Sequence, residues 1–120
     1  MNARGKRAAV RLAVLLTTTG TAHFAVPKPF DAIVPSSLPG PARFWTYASG
    51  VVELGLAGLL AVPRTRRLGG TLAAAFFVAV FPGNLKAVRV LRHPALKAVA
   101  VARLSLQVPL VTEALAARDG

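Results

Sequence analysis

The sequence predicts an all-α fold: a four-helix transmembrane bundle, with a short interfacial helix between helices three and four, built from residues 1–120 as one domain. Three observations predict it. Hydrophobic residues make up 54% of the 120-residue chain and charged residues only 16%, where a soluble domain carries about 25% charged residues. The apolar residues fall into four runs, Leu12 to Val26, Trp45 to Val62, Leu68 to Phe81 and Ala95 to Ala116, divided by Pro- or Arg-rich joints. Those runs are rich in Ala, Leu and Gly and lack two-residue alternation, so they read as helices, and an open sheet cannot span lipid in any case.

With their flanking residues the predicted helices cover approximately residues 8–26, 45–62, 66–83 and 95–116, each near the ~20 residues that cross a bilayer. The first follows Arg4, Lys6 and Arg7, the outline of a signal peptide. Arg11 interrupts its apolar run, Thr17, Thr18, Thr19 and His23 make it polar, and Thr21-Ala22-His23 is a poor cleavage site, so it is read as a retained helix. The first connection, Pro27 to Arg43, holds Pro27, Pro29, Pro35, Pro39 and Pro41 and is expected to lack regular helix. Phe24, Phe30, Ile33, Val34 and Leu38 in or beside it place it in the membrane interface. The second connection, Pro63 to Arg67, is tight and basic, which makes helices two and three antiparallel neighbours. In the third, Pro82 to Pro94, Lys86, Arg89 and His93 recur at spacings of three and four, the pattern of a short amphipathic interfacial helix.

Fifteen Lys and Arg against four Asp and Glu give a net charge of +11. Such a balance raises nucleic acid as a partner. Here the basic residues cluster between apolar runs, and a single Trp and a single Tyr are available to stack on bases. They read instead as topology signals and headgroup contacts, so the expected partners are the lipid bilayer and a membrane or redox partner protein, with no nucleic acid. With the N-terminus inside, Arg4, Lys6, Arg7, Arg11, Arg64, Arg66, Arg67 and Arg118 face the cytoplasm. Lys28, Arg43, Lys86, Arg89, Arg92 and Lys97 face the other side. Eight against six predicts a multi-pass plasma-membrane protein with both termini cytoplasmic. Cysteine is absent, which excludes a disulfide framework, a thiolate metal site and dithiol redox chemistry by this chain alone.

The candidate site comes from charges placed inside apolar runs. Glu53 lies within the otherwise uncharged stretch Tyr47 to Val62, and Arg103 within Ala98 to Val111. An ionised side chain at the centre of a lipid-facing helix costs at least ~2.5–3.5 kcal/mol, so it is expected to turn inward and pair. On helix two, Gly50, Glu53, Leu54, Ala57, Gly58 and Ala61 form the stripe predicted to pack inward, with Val51, Val52, Leu56, Leu59 and Leu60 on the other side. On helix four, Leu96, Ala100, Arg103, Gln107 and Leu110 align, and Pro109 cannot donate to the Ser105 carbonyl. Glu53 follows Trp45, and Arg103 follows Ala95, by the same eight residues, so both lie ~12 Å below the outer surface and a facing Glu53–Arg103 pair is expected. His23 ends helix one and Asn84 ends helix three at that same level. His23, Glu53, Asn84, Arg103 and Gln107 are therefore the candidate residues of a polar interior open to the outside. At each position a structural role stands beside the functional one: an ion pair that fixes register, a packing histidine, an asparagine cap after Pro82-Gly83. No metal site is expected, because no second His or carboxylate stands at ligand spacing. An acceptor, an amide, an imidazole and a cation together suit a quinone carbonyl or a lipid phosphate. No catalytic residue is assigned.

His23-Phe24 with Pro27 and Phe30, Ile33-Val34-Pro35, Leu38-Pro39, Tyr47 to Gly50 leading to Glu53, Pro63 to Arg67, Phe81 to Asn84, and Arg103-Leu104 with Leu106-Gln107 follow one another from Thr19 to Val111. Together they resemble the DoxX family of small four-helix membrane proteins. Ser105 departs from that pattern, where relatives carry proline, and Pro109 shifts the kink by about one turn. The resemblance implies an accessory, non-catalytic subunit of a quinone- or thiol-linked membrane redox system, with no covalently bound cofactor and quinone as the candidate. Electron transfer would belong to a partner, because the chain offers no cysteine, haem-ligand pair or nucleotide motif. Two other classes stand beside it. One is a small proton-coupled transporter or exporter titrating at Glu53, against which the lack of an internal repeat counts. The other is a structural, lipid-binding role for the basic loops.

Overall fold

The computed structural model describes residues 2–120, and every regular element among them is helical. Helix α1 (Ala3–Ala25) starts at Asn2, whose side chain accepts a hydrogen bond from the Gly5 amide at 2.5 Å, and so begins five residues earlier than its apolar run suggests. It is followed by α2 (Pro27–Ile33), α3 (Ala42–Ala61), a single 3-10 turn (Pro63–Thr65), α4 (Arg66–Ala79), α5 (Phe81–Val90), α6 (Pro94–Ser105) and α7 (Gln107–Ala117).

The core is built from four of these. Ala8, Ala9, Leu12 and Leu16 of α1 meet Leu56, Ala57 and Leu60 of α3, Ala73, Ala74 and Phe77 of α4, and Leu110, Ala114 and Ala117 of α7. Seven of these thirteen residues are alanine, which lets the helix backbones approach closely. At Gly70 α4 comes close to α7, since a methyl group there would lie 2.6 Å from the Ala114 carbonyl oxygen. The short helices α2, α5 and α6 contribute nothing to this cluster. They gather beyond it, α2 against α3 and α5, and α5 against α6. The molecule measures 42 × 26 × 24 Å.

The proline-rich connection is where the sequence reading needs correction. Residues 27–33 form a helix, α2, despite Pro27 and Pro29. Both prolines stand in its first turn, where the amide hydrogens have no intrahelical acceptor to lose. Only the stretch after Ile33 is irregular; it turns at Gly40, whose φ of 84° lies in the left-handed region that glycine adopts freely.

Each remaining break has a visible cause. Helices α1 and α2 meet at 96°, α4 with its preceding turn meets α5 at 40°, and α6 meets α7 at 53°. Pro82 has no amide hydrogen for the Val78 carbonyl, and Pro109 has none for Ser105, so the backbone ladder fails one turn before each proline. Asn84 consequently sits in the first turn of α5 and is not the C-terminal cap that Pro82-Gly83 suggests. Helix α3 is the one helix that alone is long and apolar enough to cross a membrane; the three bent pairs meet the same test when each is taken as one span, giving up to four.

Candidate functional site

Helices α1 and α3 cross where Gly20 faces Glu53 and Leu54, and Gly50 faces His23 and Phe24. A methyl group on Gly50 would lie 3.0 Å from His23 Cβ and 3.2 Å from the Gly20 carbonyl oxygen. This close crossing brings His23 Nδ1 to 3.3 Å from Glu53 Oε2, with both side chains nearly withdrawn from the surface. The same Nδ1 lies 2.6 Å from the Thr19 carbonyl oxygen. A carbonyl only accepts, so Nδ1 carries the proton and the neutral ring keeps Nε2 as its acceptor. Phe30 of α2 stacks on the imidazole at 3.8 Å between centroids, which makes α2 a cover over the histidine. Phe24 and Tyr47 stack at 5.1 Å beside the same crossing.

The inward stripe of α3 is Thr46, Gly50, Glu53, Leu56, Ala57 and Leu60. Gly50, Glu53 and Ala57 lie where the sequence places them. Leu54 packs against Gly20 at the edge of the crossing and stays partly exposed, while Gly58 and Ala61 face outward and Leu56 and Leu60 inward, contrary to the expected stripe. In an apolar run hydrophobicity carries no information about the buried face, and weighting small residues shifted the centre of the stripe by about one position.

Arg103 does not reach Glu53. The ion pairs among the described residues are Arg11–Glu113 and Arg43–Asp31, and Glu53 lies against the His23 imidazole where the sequence placed Arg103. The Arg103 guanidinium lies 5.3 Å from the centre of the Phe77 ring, a cation–π contact. Gln107, one turn on, donates from Nε2 to the Phe77 carbonyl at 2.8 Å, so α4 and α7 are joined at the break in each strand of the bundle. Asn84 hydrogen-bonds to none of the other four.

Three buried polar atoms in this set have no hydrogen-bond partner: Glu53 Oε2, Asn84 Nδ2 and Arg103 Nη1. Buried polar groups are paired in the large majority of cases, so unpartnered ones on three separate helices stand out. Among the described residues no three His, Asp or Glu side chains lie together as a metal would require.

A second polar cluster escaped the sequence reading. Asp31 of α2 accepts from Thr46 Oγ1 at 2.6 Å and from Arg43 Nε at 2.8 Å, and Arg43 lies over the Tyr47 ring at 5.6 Å. The Thr46 hydrogen bond, and after it Arg43, holds the Asp31 carboxyl below the usual carboxylate range against the opposing effect of burial. On the far side, Lys86 Nζ of α5 donates to the Val34 carbonyl at 2.7 Å, so α2 is tied to both neighbours. A signal for this cluster was present. With four acids among fifteen Lys and Arg, each acid had a choice of cations, and Asp31 and Glu113 are paired with arginines.

His23 and Glu53 form a buried polar contact between α1 and α3. The chain belongs to the family described as a domain of unknown function, DUF8561, whose model matches residues 12–118. No curated protein and no solved structure matches it.

Proposed function

We propose that this chain is an integral membrane protein of DoxX-like type, crossing the plasma membrane four times, that holds a polar head group in its outer half as an accessory, non-catalytic subunit of a quinone-linked redox system. The spans are α3 and, each taken as one crossing, the bent pairs α1–α2, α4–α5 and α6–α7, whose members α2 and α5 reach the outer interface. Helix α3, at 20 residues, rises about 30 Å, the thickness of the hydrocarbon core. The exposed surface supports this placement: Val10, Val14, Val51, Leu68, Val99 and Val108 are each about half exposed or more, around the outside of the bundle, an apolar belt that a monomeric soluble domain rarely carries.

The single observation that carries the functional reading is the trio of unpartnered buried atoms, a carboxylate oxygen, an amide nitrogen and a guanidinium nitrogen. Arg103 Nη1 and Asn84 Nδ2 are donors of the kind a quinone carbonyl accepts from. The test uses Trp45, the single tryptophan, two turns from Glu53 on α3. A short-chain quinone should quench its fluorescence saturably in the detergent-solubilised protein, and Arg103→Gln should weaken that quenching. Equal quenching in Arg103→Gln counts against the site.

A second reading rests on the His23–Glu53 contact. A carboxyl and an imidazole 3.3 Å apart in an apolar interior are a proton-exchanging pair, as a small proton-coupled exporter needs. Proton uptake by proteoliposomes that disappears in Glu53→Gln would favour it over the accessory-subunit reading.

A further inference from the structure

The opposite end of the molecule carries a concavity of about 540 Å³, lined by Asn2, Arg64, Arg67, Arg118, Asp119 and Gly120. It forms where the start of α1, the turn between α3 and α4, and the end of α7 converge. The Asn2 amide donates to the Asp119 carbonyl at 2.9 Å, and Gly5 and Gly120 are in backbone contact, so the chain's last residues are seated against α1.

The arginines of the turn divide into two kinds. Arg66 is buried and committed: its Nε donates to the Leu60 carbonyl at 2.8 Å and its Nη2 to the Ala61 carbonyl at 3.3 Å, closing the C-terminus of α3. Arg64 and Arg67, on either side of it, point outward, and neither is in an ion pair. Arg118 Nε is buried and has no hydrogen-bond partner. Asp119 opposes these three cations, but Arg4, Lys6 and Arg7 on the first two turns of α1 leave this end strongly positive.

We infer that this concavity is an anion site for a phosphate group, the shared chemistry of an acidic phospholipid headgroup and of free phosphate. The volume suits a small ligand, and forked guanidinium groups match phosphate oxygens two at a time. Committing Arg66 to helix capping leaves Arg64 and Arg67 as the flanking pair of such a site, with Arg118 as its third side. The lipid source rests on the membrane reading; the phosphate source does not.

Thermal unfolding of the detergent-solubilised full chain is the test, with phosphatidylglycerol or inorganic phosphate titrated against phosphatidylcholine or chloride of equal ionic strength. Stabilisation by phosphatidylglycerol alone identifies a lipid headgroup site, and stabilisation by inorganic phosphate identifies a free-anion site. In either case the variant Arg64→Gln/Arg67→Gln, both positions exposed and so expected to fold, should bind at least about tenfold more weakly. The control Lys6→Gln/Arg7→Gln removes the same charge outside the cavity and should retain the effect. No stabilisation by either anion overturns the inference, and so does equal weakening in the control, which would mean a diffuse electrostatic attraction without a site.

Discussion

Gly50 and Gly58 lie eight residues apart on α3 and look alike in the sequence, yet replacing each with leucine should have opposite consequences. A Cβ at Gly50 would meet Phe24 Cε2 at 2.7 Å, His23 Cβ at 3.0 Å and the Gly20 carbonyl oxygen at 3.2 Å. The Phe24 ring can swing away, being partly exposed, but the Gly20 carbonyl belongs to the α1 backbone and yields only if the helices separate. Overpacking of this kind costs about 1–3 kcal/mol, and leucine brings three further carbons, so about 3 kcal/mol is expected. A Cβ at Gly58 meets nothing within 4 Å. There leucine gains helix propensity, about 1 kcal/mol relative to glycine, and should be neutral or stabilising. Equilibrium unfolding in mixed detergent micelles, followed by far-ultraviolet circular dichroism, reads both. Equal destabilisation by the two substitutions would refute the helix crossing described above, and so would a Gly50→Leu variant as stable as the parent.

Three further outcomes follow from the polar contacts. A double-mutant cycle of His23→Phe and Glu53→Gln should return a coupling of about 0.5–1.5 kcal/mol, in the range of interhelical polar contacts in lipid, whereas no coupling would mean that the two merely lie close. Gln107→Leu removes the partner of the Phe77 carbonyl and should cost about 1–2 kcal/mol in the same unfolding assay; an unchanged stability would show that the carbonyl finds another donor. The Asp31 contacts should depend on pH with a definite sign. The folded state lowers this carboxyl's pKa, so its stabilisation is present above the ordinary carboxylate range and is lost as pH falls through the lowered folded value. Protection factors for the amides of residues 27–33, corrected for the intrinsic pH dependence of exchange, should therefore fall at acidic pH in the parent and be low at all pH values in Asp31→Asn; protection in the parent that ignores pH would contradict this.

What the sequence made legible was chiefly the positions of helices and of polar residues within them. The proline at 109 announced a break in the last helical run one turn upstream, and the structure bends there by 53°. Glu53 announced an inward face, and it is buried. Harder to read was which partner each polar group takes. Matched depth along two helices put Glu53 level with Arg103, but depth fixes height and not azimuth, and the Gly20–Gly50 crossing turns Glu53 toward His23 instead. Local signals also misled where a residue has two uses. Pro27, Pro29 and Pro82 read as helix breakers and serve as helix starters, because the same missing amide hydrogen is harmless in a first turn. The partners of Asp31 were harder to read, because Arg43 and Thr46 are brought within reach only by the fold-back of α2 across the irregular link.

The account stands or falls on four crossings with both termini on one side. The chain's lack of cysteine allows single cysteines to be placed without background. Arg64→Cys lies at the turn beside the termini and Ser37→Cys in the α2–α3 link at the opposite end. In intact cells a membrane-impermeant maleimide should label Ser37→Cys at once and Arg64→Cys only after permeabilisation. Labelling of both from the same side, or recovery of the protein in the soluble fraction after carbonate washing, would contradict the membrane-spanning bundle.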